Sequence, residues 1–193
     1  MERERTPHRL MELGIQLHLS GLSLSNTISE LENLGVDRSR KAVHNWVQKT
    51  DLQPASGASP DHVVLNKAVI RINGQQFWLY AAVEPHSSGF LHVRLFTTTT
   101  TVLTQQFLRE FREKHDVADT VFLVERAYHL AAALQRAGLR FRPVRYGNRN
   151  AIQHVFRGIK RRTISFSNSF SYVEPTTAET WLQAFAVWWN SLN

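Results

Sequence analysis

The sequence predicts a mixed α/β protein, a sheet-and-helix body behind a small helical head. Three observations carry this. Residues 62 to 96 hold three β-rich stretches, the first two joined by Asn73-Gly74, the strongest short hairpin signal. Beyond residue 100, helix-like and strand-like stretches alternate, the order of a sheet covered by helices. Residues 51–60 are rich in Pro, Gly, Ser and Ala and read as a linker. They divide a head, 1–50, from a body, 61–193.

The head reads as three helices. Thr6-Pro7 starts the first, with Leu10, Met11, Leu13, Ile15 and Leu17 as apolar candidates. Ser23 or Ser25 caps the second, which carries Ile28, Leu31 and Leu34 on one stripe and stops at Gly35. Asp37 or Ser39 opens the third, with Ala42, Val43, Trp46 and Val47 as its buried face. Arg38, Arg40, Lys41, Asn45 and Lys49 are left for the other side. Helix, Gly-containing turn and basic helix make the helix-turn-helix pattern of DNA-binding heads. A plain helical hairpin with solvated charges is the alternative.

The body opens with strands at 62–72, 76–83 and 90–96, an antiparallel meander. A helix capped within the run Thr97 to Thr101 follows, carrying Val102, Leu103, Phe107, Leu108 and Phe111. Thr120 to Val124 is a short apolar run, typical of a strand buried on both faces. A helix from Leu130 to Ala137 stops at Gly138, and Leu139 to Pro143 is a fifth strand. Helices over about 150–163 and 178–189 close the chain. The order βββαβαβα, followed by the last helix, matches the ribonuclease-H-like fold, a mixed sheet covered by helices.

Composition narrows the function. The 193 residues fit one ordinary domain, or one with a small appendage. No internal repeat is evident. The absence of Cys excludes a disulfide scaffold, thiolate zinc sites and Cys nucleophiles. Lys+Arg 23 against Asp+Glu 16 gives +7, which favours a polyanionic partner, nucleic acid before membrane. Hydrophobic content of 42% excludes a mostly disordered chain. No apolar run approaches the ~18 residues of a membrane span. The charged start, Met1 to Arg5, has no apolar stretch behind it and reads as no signal peptide. The expected location is the cytoplasm, at the nucleoid.

Several stretches add up to a family resemblance: Ser59 to Val63, Val69 to Arg71, Phe77 to Val83, Arg112 to Val117, Val121 to Val124, Gly147 to Asn150, Phe156-Arg157, Ile159 to Thr163 and Ser165 to Asn168. In this order and spacing the chain resembles small transposases of the DDE class, from the prokaryotic insertion-sequence-six family. The resemblance runs from the head almost to the C-terminus. It implies a helix-turn-helix head that binds the element's ends and an integrase-like body that holds three carboxylates and two Mg2+ (or Mn2+) ions. It implies DNA transposition, with double-stranded DNA at terminal inverted repeats as partner. It also implies a homodimer, or a heterodimer with an intact transposase.

That chemistry has a physical logic. Two hard cations about 4 Å apart clamp an in-line phosphoryl transfer, and carboxylates are their natural ligands. The family's first Asp falls on Asn66, its second Asp on Glu125 and its Glu on Gln153; the basic residue seven positions later is Lys160. The sequence departs from the family at all three acids: one remains a carboxylate and two are amides. The family has an acid where Lys67 stands, Gly at Arg126 and an acid at Gly158. One carboxylate beside new cations predicts weak Mg2+ binding, with Glu125 as its remaining ligand, and no normal cleavage.

Other residues carry less. Asp61, Asp116 and Asp119 precede their strands, at the wrong end to replace the lost acids. The nine His form no HExxH pair; His129 and His154 fall near the site, with surface or packing roles expected. No G-x-S-x-G elbow occurs. Trp181, Trp188 and Trp189 read as core or partner surface. Arg149, Arg157, Lys160 and Arg161 read as a phosphate-holding face beside Gln153, against the alternative of a solvated helix. Arg140, Arg142 and Arg145 extend that patch. The reading is a catalytically impaired transposase homologue. Its rivals are a recombinase still active with substitute ligands, a non-catalytic DNA-binding repressor or competitor of an intact transposase, and a decaying relic.

Overall fold

The computed structural model describes residues 6–50, 52–125, 128–143, 157 and 170–192. They fall into two compact units that meet between Leu52 and Gln53 in the chain.

The first unit is three helices: α1 (His8–Ser20), α2 (Leu24–Asn33) and α3 (Arg40–Lys49). Of the alternative caps, Ser23 starts α2, its hydroxyl accepting from the Asn26 N–H at 3.1 Å. Ser39 starts α3 and accepts from Ala42 at 3.2 Å. At the end of α2, Gly35 takes φ +79°. Its N–H donates to the Glu32 carbonyl and that of Val36 to the Leu31 carbonyl, both at 2.9 Å, which satisfies two terminal acceptors in a Schellman turn. This corrects the place of Leu34. It is the C-cap, 53% exposed, and Val36 folds back onto Leu31 instead. Leu31, Val36 and Val43 form the core with Leu10, Leu24, Ile28 and Trp46 packed on it. Gly14 lets α1 approach α3: a Cβ there would meet the Trp46 ring at 3.1 Å.

The second unit starts within the Pro/Gly/Ser/Ala-rich stretch. From Gln53 on, that stretch is hydrogen-bonded to the body. Gly57 N–H donates to the Lys114 carbonyl, Asp116 N–H to that of Ala58, and the Thr120 hydroxyl to that of Pro60. Then follow β1 (His62–Ile72), β2 (Gln75–Glu84), β3 (Gly89–Phe96), α4 (Thr101–Lys114), β4 (Val121–Val124), α5 (Tyr128–Arg136), β5 (Arg140–Pro143) and α6 (Pro175–Asn190). Thr100 caps α4. The last helix begins three residues ahead of the sequence expectation, because Pro175 suits the first helical position. The helix expected over 150–163 lies outside the described residues.

The five strands form one sheet in the order β3-β2-β1-β4-β5. The first three pair antiparallel, and β4 and β5 add parallel. This is the mixed sheet that the element order predicts for a ribonuclease-H-like body. On one face, Val63, Leu65, Tyr80, Ala82, Phe122 and Val124 pack against Phe107, Leu108 and Phe111 of α4 and Leu130, Ala133 and Leu134 of α5. On the opposite face α6 lies along β3, with Phe90 meeting the rings of Phe185 and Trp189.

Candidate functional site

Position 66 lies within β1 and position 125 directly follows β4. The two strands run parallel, and the last paired residues are Leu65 and Val124. Asn66 is the next residue of β1 after that pair and Glu125 the first beyond β4, so both stand at the same end of the β1–β4 ladder. They sit at the carboxyl end of β4, where open α/β sheets place their ligand crevices. The sheet register thus brings together two of the three positions singled out in the sequence. Gln153 and Lys160 lie outside the described residues.

The described donors do not fit a two-ion centre. Asn66 is an amide, and its Oδ1 accepts the Lys67 backbone N–H at 2.7 Å. An amide oxygen already taken by a main-chain donor is a poor ligand for Mg2+, which gives up water reluctantly. Glu125 is the one carboxylate of the pair. Among the described residues no three His, Asp or Glu gather to hold a metal ion. The spare acids are elsewhere. Asp61 precedes β1 and its carbonyl accepts from Val121 at 2.9 Å. Asp116 and Asp119 precede β4, and Asp119 pairs with Arg140.

Lys67 faces the other way. It pairs across the sheet with Tyr80, so both side chains share the α4/α5 face. Its Nζ stands 4.5 Å over the Trp78 ring, and burial pushes its pKa down. The Thr104 hydroxyl donates to Tyr80 Oη across a long 3.5 Å, and burial raises the Tyr80 pKa. The His129 ring, in the first turn of α5, lies 6.4 Å from Tyr80. Burial first, and the Lys67 charge second, lower its pKa. Its Nε2 is buried, with no hydrogen-bond partner among the described residues. Sequence reasoning missed Trp78 and Tyr80; their alternation along β2 was the available signal.

The basic residues divide. Arg40, Lys41 and Lys49 are exposed on α3, and Asn45 is half-buried. Arg38 is tied down: its guanidinium donates to the Thr6 hydroxyl and the Asp37 carbonyl, both at 2.6 Å. Arg157 is exposed, while Arg149, Arg161 and Arg145 lie outside the described residues. Arg140 donates to the Asp119 carbonyl and carboxylate, and Arg142 lies 3.1 Å from His62 Nε2. Both guanidinium groups therefore reach toward the starts of β4 and β1, and not toward Glu125. Trp181 is core, stacked on Phe185 at 5.6 Å. Sequence reasoning also missed a polar network. Glu110 joins His92, Arg94 and Gln106, and Glu179 joins Arg94 and the Leu95 N–H.

No family model matches the chain. An uncharacterized protein of Methanocaldococcus jannaschii is 23% identical over 193 residues, covering 98% of this chain and 89% of that protein. Similar solved structures include the catalytic core domain of BIV integrase, at 10% identity and a TM-score of 0.48, covering 66% of this chain and 82% of that one. The HTLV-2 integrase catalytic core domain in complex with magnesium is similar at 11% identity and a TM-score of 0.48, covering 68% of this chain and 86% of that one. These neighbours are retroviral integrase cores, and at such identities the likeness concerns fold alone.

Proposed function

We propose that this protein is a DNA-binding homologue of DDE transposases in which metal-dependent cleavage and strand transfer are impaired. One observation carries the reading. The β1–β4 ladder ends with an amide, Asn66, on one strand and a carboxylate, Glu125, just past the other, where two-ion chemistry calls for acids on both strands. The resemblance to the insertion-sequence-six family supplies the lineage, and integrase cores solved with magnesium are in keeping with a divalent metal in such proteins. The head is read as a helix-turn-helix unit that lays the exposed Arg40, Lys41 and Lys49 of α3 against DNA, here the terminal inverted repeats of an element. A protein that grips those ends without cutting them acts as a competitor or repressor of an intact transposase, alone as a dimer or in a mixed dimer with it.

The test is a cleavage and strand-transfer assay on candidate element ends with Mg2+ and with Mn2+. The protein runs beside the triple variant Asn66→Asp, Glu125→Asp, Gln153→Glu. Cutting by the triple variant alone is the expected result. Cutting by the unaltered protein at a comparable rate would overturn the impairment. Absence of any salt-dependent DNA binding would overturn the binding role and leave a relic.

A further inference from the structure

Residues 53–60, with which the sheet unit begins, bury little of themselves: of the eight, Pro54 alone is buried. Polar contacts with the end of α4 and the turn before β4 hold them instead. The Gly57 N–H donates to the Lys114 carbonyl at 2.7 Å, the Asp116 N–H to the Ala58 carbonyl at 3.0 Å, and Lys114 Nζ to Gln53 Oε1 at 2.7 Å. Between these bonds sits His115, 4% exposed, its ring 4.8 Å from that of Phe111. Its Nδ1 lies 3.3 Å from the Ala58 nitrogen and its Nε2 3.1 Å from the Leu91 carbonyl on β3. A main-chain N–H only donates and a carbonyl only accepts, so the ring carries its proton on Nε2 and accepts at Nδ1. A second proton would turn Nδ1 into a donor facing a donor. The neighbouring groups do not relieve that clash. On α4, Arg112 and Glu113 are exposed and Lys114 opposes a further positive charge. On β3, His92 is neutral near pH 7. In the turn, the Asp116 carboxylate accepts the Ala118 N–H at 3.2 Å. Residues 53–60 themselves include no Asp, Glu, His, Lys or Arg.

We propose that His115 is a pH-sensitive latch: neutral, it pins residues 53–60 to the sheet unit through the Ala58 N–H, and protonated, it releases them. Burial lowers the His115 pKa from the ordinary 6.5; the Leu91 bond opposes this and the Lys114 charge adds to it. Once the segment has left, the imidazole is free to return to its ordinary value. The docked form is therefore fully favoured above about pH 6.5 and loses ground as pH falls toward the lowered value. Release frees chain that follows directly on the helical unit, up to about 28 Å when extended. Acid thus lengthens the connection that carries that unit. The latch rests on the two bonds of one ring and holds whether or not the helical unit binds DNA.

The experiment is nuclear magnetic resonance on the full, nitrogen-15-labelled chain between pH 7.5 and 5. Ring-nitrogen shifts of His115 should show a bare Nδ1 and a protonated Nε2 at pH 7.5. Amide hydrogen exchange at Gly57, Ala58 and Asp116, corrected for the intrinsic pH dependence, reads the docking. Protection there should fall by about tenfold per pH unit below 6.5, until the docked form itself titrates. Amides of the central strand β1 should keep theirs over the same range, which separates release from unfolding. His115→Asn offers a neutral amide oxygen in place of Nδ1, and its profile at the three amides should be flat. Asp116→Asn should leave the fall in place, since the carboxylate is not the group that titrates. A proton on Nδ1 at pH 7.5, or protection at the three amides that does not change down to pH 5, would overturn the latch. So would an equal fall in His115→Asn, which would assign the release to another group. Should that variant not fold, the ring shifts and exchange of the unaltered chain still decide the matter.

Discussion

His92 lies on β3 with its ring 4.8 Å from Phe107 and its Nε2 3.3 Å from Glu110. Burial, then the charges of Lys114 and Arg94, push its pKa down to about 4, against the opposing pull of Glu110. The unfolded chain holds His near 6.5. Between these values the unfolded state binds a proton that the folded state refuses. Stability from this residue is therefore complete above pH 6.5 and lost as pH falls toward 4. His18, His115 and His129, all lowered chiefly by burial, add the same sign. Urea midpoints should drop between pH 7 and 5, with His92 accounting for about 2 kcal/mol by pH 5. His92→Gln should flatten that drop; an unchanged profile would refute the account. Nothing in the local sequence announces this group. Glu110 is 18 residues away and Glu179, which completes the network through Arg94, is farther still. By contrast the core roles of Phe107 and Phe111 were legible, because helical spacing puts them on one face.

The hairpin between β1 and β2 was legible for a local reason. Asn73 and Gly74 take φ of 52° and 77°, the left-handed pair that a type I′ turn needs and that Asn-Gly accepts most readily. What the dipeptide could not announce is its second task. The Asn73 amide donates to the Val173 carbonyl at 2.9 Å and its oxygen accepts the Val173 N–H at 3.2 Å, tying the hairpin to the chain just before α6. Asn73→Gly keeps the turn and removes both bonds; a loss of about 1 kcal/mol in chemical denaturation is expected. Asn73→Asp keeps the acceptor but sets a carboxylate oxygen against the Val173 carbonyl, and should lose at least as much. If neither variant loses stability, the amide does not pin the segment. The edge strand β3 is held in a similar way. The Asn190 side chain bonds both the N–H and the carbonyl of Phe90 at 2.7 Å, and Glu179 takes the Leu95 N–H. Such plugs occupy donors and acceptors that an open sheet edge would offer to another chain. Leu34 went the other way: its spacing fits the stripe of α2, but the helix ends there and Gly35 turns the chain.

At the scale of the whole molecule, charge is the property with the clearest consequence. The net charge of +7 and the exposed Arg40, Lys41 and Lys49 on α3 predict DNA binding that weakens steeply with salt. Changing these three to Gln should lower the slope of log K against log salt by roughly two to three, about 0.9 for each lost phosphate contact. Arg38→Gln should change it less, because that guanidinium already bonds Thr6 and Asp37. An identical slope in the triple variant would place the DNA contacts elsewhere. The kinds and order of the described elements, a helix start at Asp37 or Ser39 and another within Thr97 to Thr101, the Asn-Gly turn and the basic balance were determined by the sequence alone. Each depends on neighbours within a turn of helix or a hairpin, or on composition, which has no geometry. The tertiary structure decided the rest. It brought Asn66 and Glu125 to the same end of the β1–β4 ladder, docked residues 53–60 on the body and buried His92. Those juxtapositions arise from strand register and from which face each residue turns inward, and both are set only when distant segments pack together.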